Sequence, residues 1–322
     1  MKSLWRVREL STLAILIAEV IFFAWYLWPD AGRTHPFLNA ENALLILKYS
    51  SIYGIAAVGA AVVIISGGID LAPGAVIALA SVVTGHLVVV AGVGLGPSVV
   101  AGILVGGVTG LLTALLIVKV GLPPFIATLG MMGIARGLAF IITEGQYFDV
   151  SSKLVPGWRP LGLPPDWLAP VVMFAMAVVF QVLMTRFQWG RAVFSIGGNE
   201  TAALFSGIAI GRIKTSVYVL SGVLASIAGV VLVIVQGQGK ADLATGYELD
   251  IIASAVVGGA SLAGGRGSVM GAVLGTLIFG VLRNALPQIP GATFYDRLIV
   301  GLVVIVIVVM DQLMLKRSRV RL

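Results

Sequence analysis

Ala91-Gly-Val-Gly-Leu-Gly-Pro97 lies in the middle of a run, Leu71 to Val118, that contains no Asp, Glu, Lys or Arg. A hydrocarbon layer about 30 Å thick is crossed by about 20 helical residues, so this run is roughly twice as long as one crossing needs. It must turn back once, and the glycines followed by a proline break the helical pattern at its centre. The reading is two membrane spans, near 71–90 and 98–118, joined by a tight hairpin.

Working outward, residues 49–69, 167–185 and 215–236 are equally free of charge, and apolar segments recur near 10–28, 123–143, 251–265, 268–286 and 296–315. The predicted fold is therefore all-α: a polytopic membrane helical bundle of about ten transmembrane helices, treated as one domain over residues 1–322. The eighth and ninth segments are short, and one of them can be re-entrant. The first run is expected to be retained as a helix. Glu19 interrupts it, and Trp28-Pro-Asp-Ala-Gly32 offers no convincing small-x-small cleavage site.

Composition agrees with the spans. The chain of 322 residues is 59% hydrophobic and 11% charged, where a soluble domain carries about 25% charged residues. The formal charge of +7 does not indicate nucleic acid, because the basic residues fall between apolar runs instead of forming one stripe. Lys and Arg accumulate on the cytoplasmic side. Lys2, Arg6 and Arg8 place the N-terminus there, and alternating ten spans brings Lys119, Arg186, Arg191, Arg212, Lys214, Arg266 and the tail Lys316 to Arg321 to the same side. Both termini are expected in the cytoplasm.

The sequence has no cysteine and only two histidines, His35 and His86, which excludes thiolate metal sites. It contains no Gly-x-x-x-x-Gly-Lys-Ser/Thr phosphate loop, no His-Glu-x-x-His and no Gly-x-Ser-x-Gly. No catalytic residue and no metal ligand set is assigned, and any use of ATP falls to a partner.

Three sets of residues carry the functional expectations. Gly67-Gly-Ile-Asp-Leu-Ala-Pro-Gly74 is echoed by Gly258-Gly-Ala-Ser-Leu-Ala-Gly-Gly265. In each, paired glycines (Gly67 and Gly68; Gly258 and Gly259) end a helix, and Asp70 or Ser261 can cap the next. Between the sixth and seventh spans, Gly198-Asn-Glu-Thr-Ala-Ala-Leu-Phe-Ser-Gly207 reads as a short helix: Asn199 as N-cap, Glu200 in the first turn, Ala202 and Ala203 on an apolar face, Gly207 as left-handed terminator. Such a helix either lies on the membrane surface or docks in a groove of a partner. Finally, Thr128, Arg136, Ser254 and Asn284 are polar groups inside spans, candidates to line a solute path or to bond between helices.

Taken in order, several segments resemble the membrane-spanning permease subunits of bacterial ABC importers for ribose, xylose and arabinose. They are Gly67-Gly-Ile-Asp-Leu71, Pro124-Phe-Ile-Ala-Thr-Leu-Gly130 with Arg136-Gly137, Gly197-Gly-Asn-Glu200 to Ser206-Gly-Ile208, and Gly246-Tyr-Glu-Leu-Asp250 with Ser261-Leu-Ala-Gly-Gly265, within residues 50–310. Ala72-Pro73 departs from the Ser-Val expected after the first motif, at the start of the third span. The resemblance implies a path for a small sugar in the bacterial inner membrane. It also implies a second permease subunit (homo- or heterodimer), a cytoplasmic ABC ATPase carrying ATP and Mg, a periplasmic sugar-binding protein, and a coupling role for residues 199–207. The rival readings are an ion-coupled carrier acting without an ATPase, a permease for branched-chain amino acids or nucleosides, and a membrane scaffold that transports nothing.

Overall fold

The computed structural model describes residues 2–28, 35–153 and 162–295, with single positions from 298 to 309; for residues 2–8 and 293 only the backbone is described. The helices are α1 Lys2–Tyr26, α2 Ala40–Ile65, α3 Pro73–Val89, α4 Leu95–Leu115, α5 Pro124–Thr143, α6 Pro165–Arg186, α7 Gln188–Gly198, α8 Glu200–Phe205, α9 Ile210–Gln236, α10 Tyr247–Val257 and α11 Val269–Ala285. A π turn, Leu116–Val120, continues α4. The predicted hairpin is in place, between the end of α3 and the start of α4, with Gly92 at φ +64°.

Among the described residues seven helices are long and apolar enough to cross a membrane, instead of about ten. The difference has physical causes. The third predicted span is a helix of 17 residues, about 25 Å long, and the eighth is a helix of 11 residues, about 16 Å long. The predicted span 296–315 falls mostly outside the described residues.

Both short helices are preceded by non-helical chain that enters the bundle. After α2 ends, Asp70 meets Ser221 on α9, roughly 16 Å along that helix from its start, so residues 66–72 climb back to mid-depth before α3 begins. Before α10, residues 241–246 descend until the Tyr247 ring stacks edge-on against Tyr53, midway along α2, at 5.7 Å. These two crossings are part helix, part non-helical chain, which for residues 241–246 is a series of turns.

α2 is the axis of the bundle and packs against α6, α9, α10 and α11. Glycine sets how close the helices come: a Cβ on Gly106 would lie 2.0 Å from the Gly222 carbonyl oxygen of α9. Apolar helices gain nothing from leaving lipid, so close van der Waals approach supplies their association. The all-α expectation also needs one addition, an antiparallel ribbon of β1 Tyr147–Asp149 and β2 Gln238–Lys240 that pairs Phe148 with Gly239.

Gly106→Ala should lower the thermal unfolding temperature in detergent, because overpacking costs about 1–3 kcal/mol. Gly107→Ala, whose Cβ would meet its nearest neighbour at an ordinary 3.7 Å, should leave it unchanged.

Candidate functional site

The connection between α6 and α9 contains two helices, α7 and α8, where the sequence suggested one. Val193 and Ile196 bury one face of α7, and Trp189 donates its indole N–H to the Ser216 hydroxyl of α9 at 2.7 Å. Asn199 breaks the pair with extended backbone, and its Oδ1 accepts the Ala202 N–H at 2.9 Å, capping α8. Glu200 occupies the first turn and takes the Lys214 ammonium of α9 at 2.7 Å. Gly207 stops the helix at φ +79°, and the Ile208 N–H reaches back to the Ala203 carbonyl at 3.1 Å. Ala203 is buried, whereas Leu204 projects and Phe205 is 86% exposed.

The Gly67-Gly68 break closes α2 with the Gly68 N–H on the Val63 carbonyl at 3.0 Å. Asp70 then lies buried, one carboxylate oxygen accepting the Ala72 N–H at 2.9 Å and the other the Ser221 hydroxyl at 2.8 Å. It is not the N-cap of α3, a position held by Ala72 without a side-chain bond. With Thr109, Thr113, Met131 and Tyr218 it lines a small internal cavity. The second break differs in detail. Gly258 and Gly259 end α10, but α11 is capped by Ser268, whose hydroxyl accepts the Gly271 N–H at 3.1 Å, and not by Ser261, whose N–H donates to the Arg266 carbonyl at 3.0 Å.

The four residues singled out as path candidates do not converge on one cavity. Thr128 is fully buried and bonds the Pro124 carbonyl at 2.9 Å. Arg136 donates to the carbonyls of Ala241 and Leu243 at 2.6 and 2.7 Å, satisfying acceptors that a non-helical segment in lipid leaves open. Ser254 is enclosed where α10 meets α11. Asn284 exchanges amide bonds with Asn42 at 2.8 and 3.0 Å. Sequence reasoning missed the Asp70, Thr109, Thr113 and Tyr218 cluster and the partner of Arg283, which is Asp250 at 2.8 Å. The spacing of Thr109 and Thr113, four apart and next to the Gly106 and Gly110 face, was the available signal.

No group of three or more His, Cys, Asp or Glu side chains able to hold a metal exists among the described residues. Residues 42–308 match the family described as the permease component of the branched-chain amino acid transport system. The chain belongs to this family of ABC permeases. The permease is 35% identical to the ribose import permease protein of Escherichia coli over 316 residues, 95% of this chain and 94% of that one. It is 37% identical to the ribose import permease protein of Bacillus subtilis, over 86% of each chain. The D-allose transport system permease protein of Escherichia coli is 34% identical, over 87% of this chain and 86% of its own. No solved structure matches. The permease is thus the multi-pass membrane subunit of an ABC importer, a transport component and not an enzyme.

Within the permease, Asp250 is 1% exposed and faces Arg283. The Arg283 side chain is 36% exposed, so removing it costs less than the about 3–5 kcal/mol of a fully buried pair, but it leaves the buried Asp250 charge behind. Arg283→Ala should therefore lower the thermal unfolding temperature, and the double variant with Asp250→Ala should recover part of the loss.

Proposed function

We propose that the permease forms half of the translocation path for a small sugar handed over by a periplasmic binding protein. Partner ATPase subunits, which hold the ATP and Mg, drive it through residues 198–207. The observation that carries this reading is the build of α8. A helix of six residues is too short to be stable alone, yet it is capped at both ends and pinned to α9 by Glu200 and Lys214. It presents Leu204 and Phe205 outward, the aromatic and aliphatic anchors that a groove on another protein accepts.

The sugar assignment rests on relatives named for ribose, D-allose and L-arabinose that match most of the chain, although the family description names branched-chain amino acids. A second permease subunit is supported by α5, whose outward face carries Gly130, Gly133 and Gly137 with open space above each. Small residues on such a face allow another helix to approach closely. In the proposed topology the chain crosses ten times, counting the two crossings that are only partly helical, with both termini and α8 in the cytoplasm.

Glu200→Lys, which faces Lys214 with a like charge, and Gly207→Val, which forces a β-branched residue to positive φ, should leave the protein inserted. Each should reduce sugar uptake by about tenfold or more in the reconstituted importer while ATP hydrolysis continues. Unimpaired uptake overturns the coupling assignment. Because the chain has no cysteine, Asn199→Cys provides a single label site, expected to react only from the cytoplasmic side. Gradient-driven uptake by the permease alone, without an ATPase, would favour an ion-coupled carrier with Asp70 as its carboxylate.

A further inference from the structure

The last turn of α7, which leads into the coupling segment, touches both helix breaks backbone to backbone. Where α2 ends, the Ile65 carbonyl accepts the N–H of Gly265, in the loop between α10 and α11, at 2.8 Å. Gly197, in the last turn of α7, rests on that hydrogen bond. A Cβ at Gly197 would lie 1.8 Å from the Ile65 oxygen and 2.5 Å from the Gly265 nitrogen, in the space between acceptor and donor. From the other side, a Cβ on Gly264 would come 2.5 Å from the Gly197 oxygen and 3.0 Å from Cα of Gly67, and one on Gly265 would come 2.6 Å from Cα of Gly198. Gly67, Gly264 and Gly265 all hold positive φ, at +86°, +79° and +69°. Three chain segments far apart in sequence therefore meet without a side chain between them.

We infer that Gly197 is the positioning residue through which one movement of α8 reaches both breaks at once. This inference rests on the reading of residues 199–207 as the coupling segment. Backbone in direct contact has no rotamer to absorb a displacement. A push on α8, three residues beyond Gly197, moves the end of α7, and with it the Ile65 to Gly265 bond that joins the end of α2 to the loop before α11. The first of these leads into Asp70 and the mid-depth start of α3, and the second into α11. Gly197 acts by position and touches no solute.

Gly107 supplies a control away from the coupling segment and the junction, because a Cβ there meets its nearest neighbour at an ordinary 3.7 Å. In the complete importer with its ATPase and binding protein, Gly197→Ala should lose about tenfold or more of uptake while the ATPase still co-purifies, and Gly107→Ala should transport like the unaltered protein. Gly106→Ala, an equally crowded glycine away from the junction, should lower thermal stability but keep ATP use and uptake in proportion. Hydrogen exchange on the unaltered importer needs no variant to fold: trapping the nucleotide state with ATP and vanadate should change exchange in peptides covering 64–68, 196–207 and 262–267 together. A change confined to 199–207, or equal uptake by Gly197→Ala and Gly107→Ala, overturns the inference. If Glu200→Lys uncouples the importer and Gly197→Ala does not, the inference falls alone. If Glu200→Lys leaves uptake intact, the coupling assignment falls and takes the inference with it.

Discussion

In lipid, each backbone N–H and C=O must find its partner within the protein. That constraint is most severe where a crossing is not helical, and among the described residues there are two such places. Residues 66–72 are held by the Asp70 carboxylate, which accepts one backbone N–H and one hydroxyl from α9. Residues 241–243 are held by Arg136, which donates to two of their carbonyls. Asp70 and Arg136 thus serve where regular hydrogen bonding stops, and read first as the support of the breaks. The non-helical arms in turn fix where α3 and α10 begin, and so which side chains reach the centre of the bundle.

Glycine performs a complementary task. Gly106 and Gly222 bring α4 and α9 into backbone contact, and the junction of Gly197, Gly264 and Gly67 does the same for loops. Side chains can rearrange around a disturbance, but backbone against backbone cannot. A protein that must pass a displacement from one face to its interior gains from joints of this kind, at the expense of positions where even alanine does not fit.

Much of this was legible in the sequence because apolar length and turn chemistry are local properties. The hairpin at residues 91–97, the Asn199 cap and the Gly207 terminator are each fixed by a few neighbouring residues, and all stand where the sequence placed them. The span count was less legible, since hydropathy does not register whether an apolar stretch is helical: residues 66–72 and 258–265 are apolar enough to have been counted into spans, yet leave the helix. The partnerships were not legible at all. Nothing local to Arg283 names Asp250, and nothing in the echoed motif tells that Asp70 answers a serine 151 positions away while the cap of α11 passes from Ser261 to Ser268. These are facts of tertiary distance.

The small ribbon of Tyr147–Asp149 and Gln238–Lys240 gains its meaning from what it sits on. Its Phe148 and Gly239 lie against Gly85 of α3, and Val150 just beyond it shares an apolar cluster with Val88 and Val233. The far ends of α3, α5 and α9 are thereby stitched together. Tied together at this rim, the three helices have their ends at the opposite side as the freer ones, the way levers do about a fulcrum.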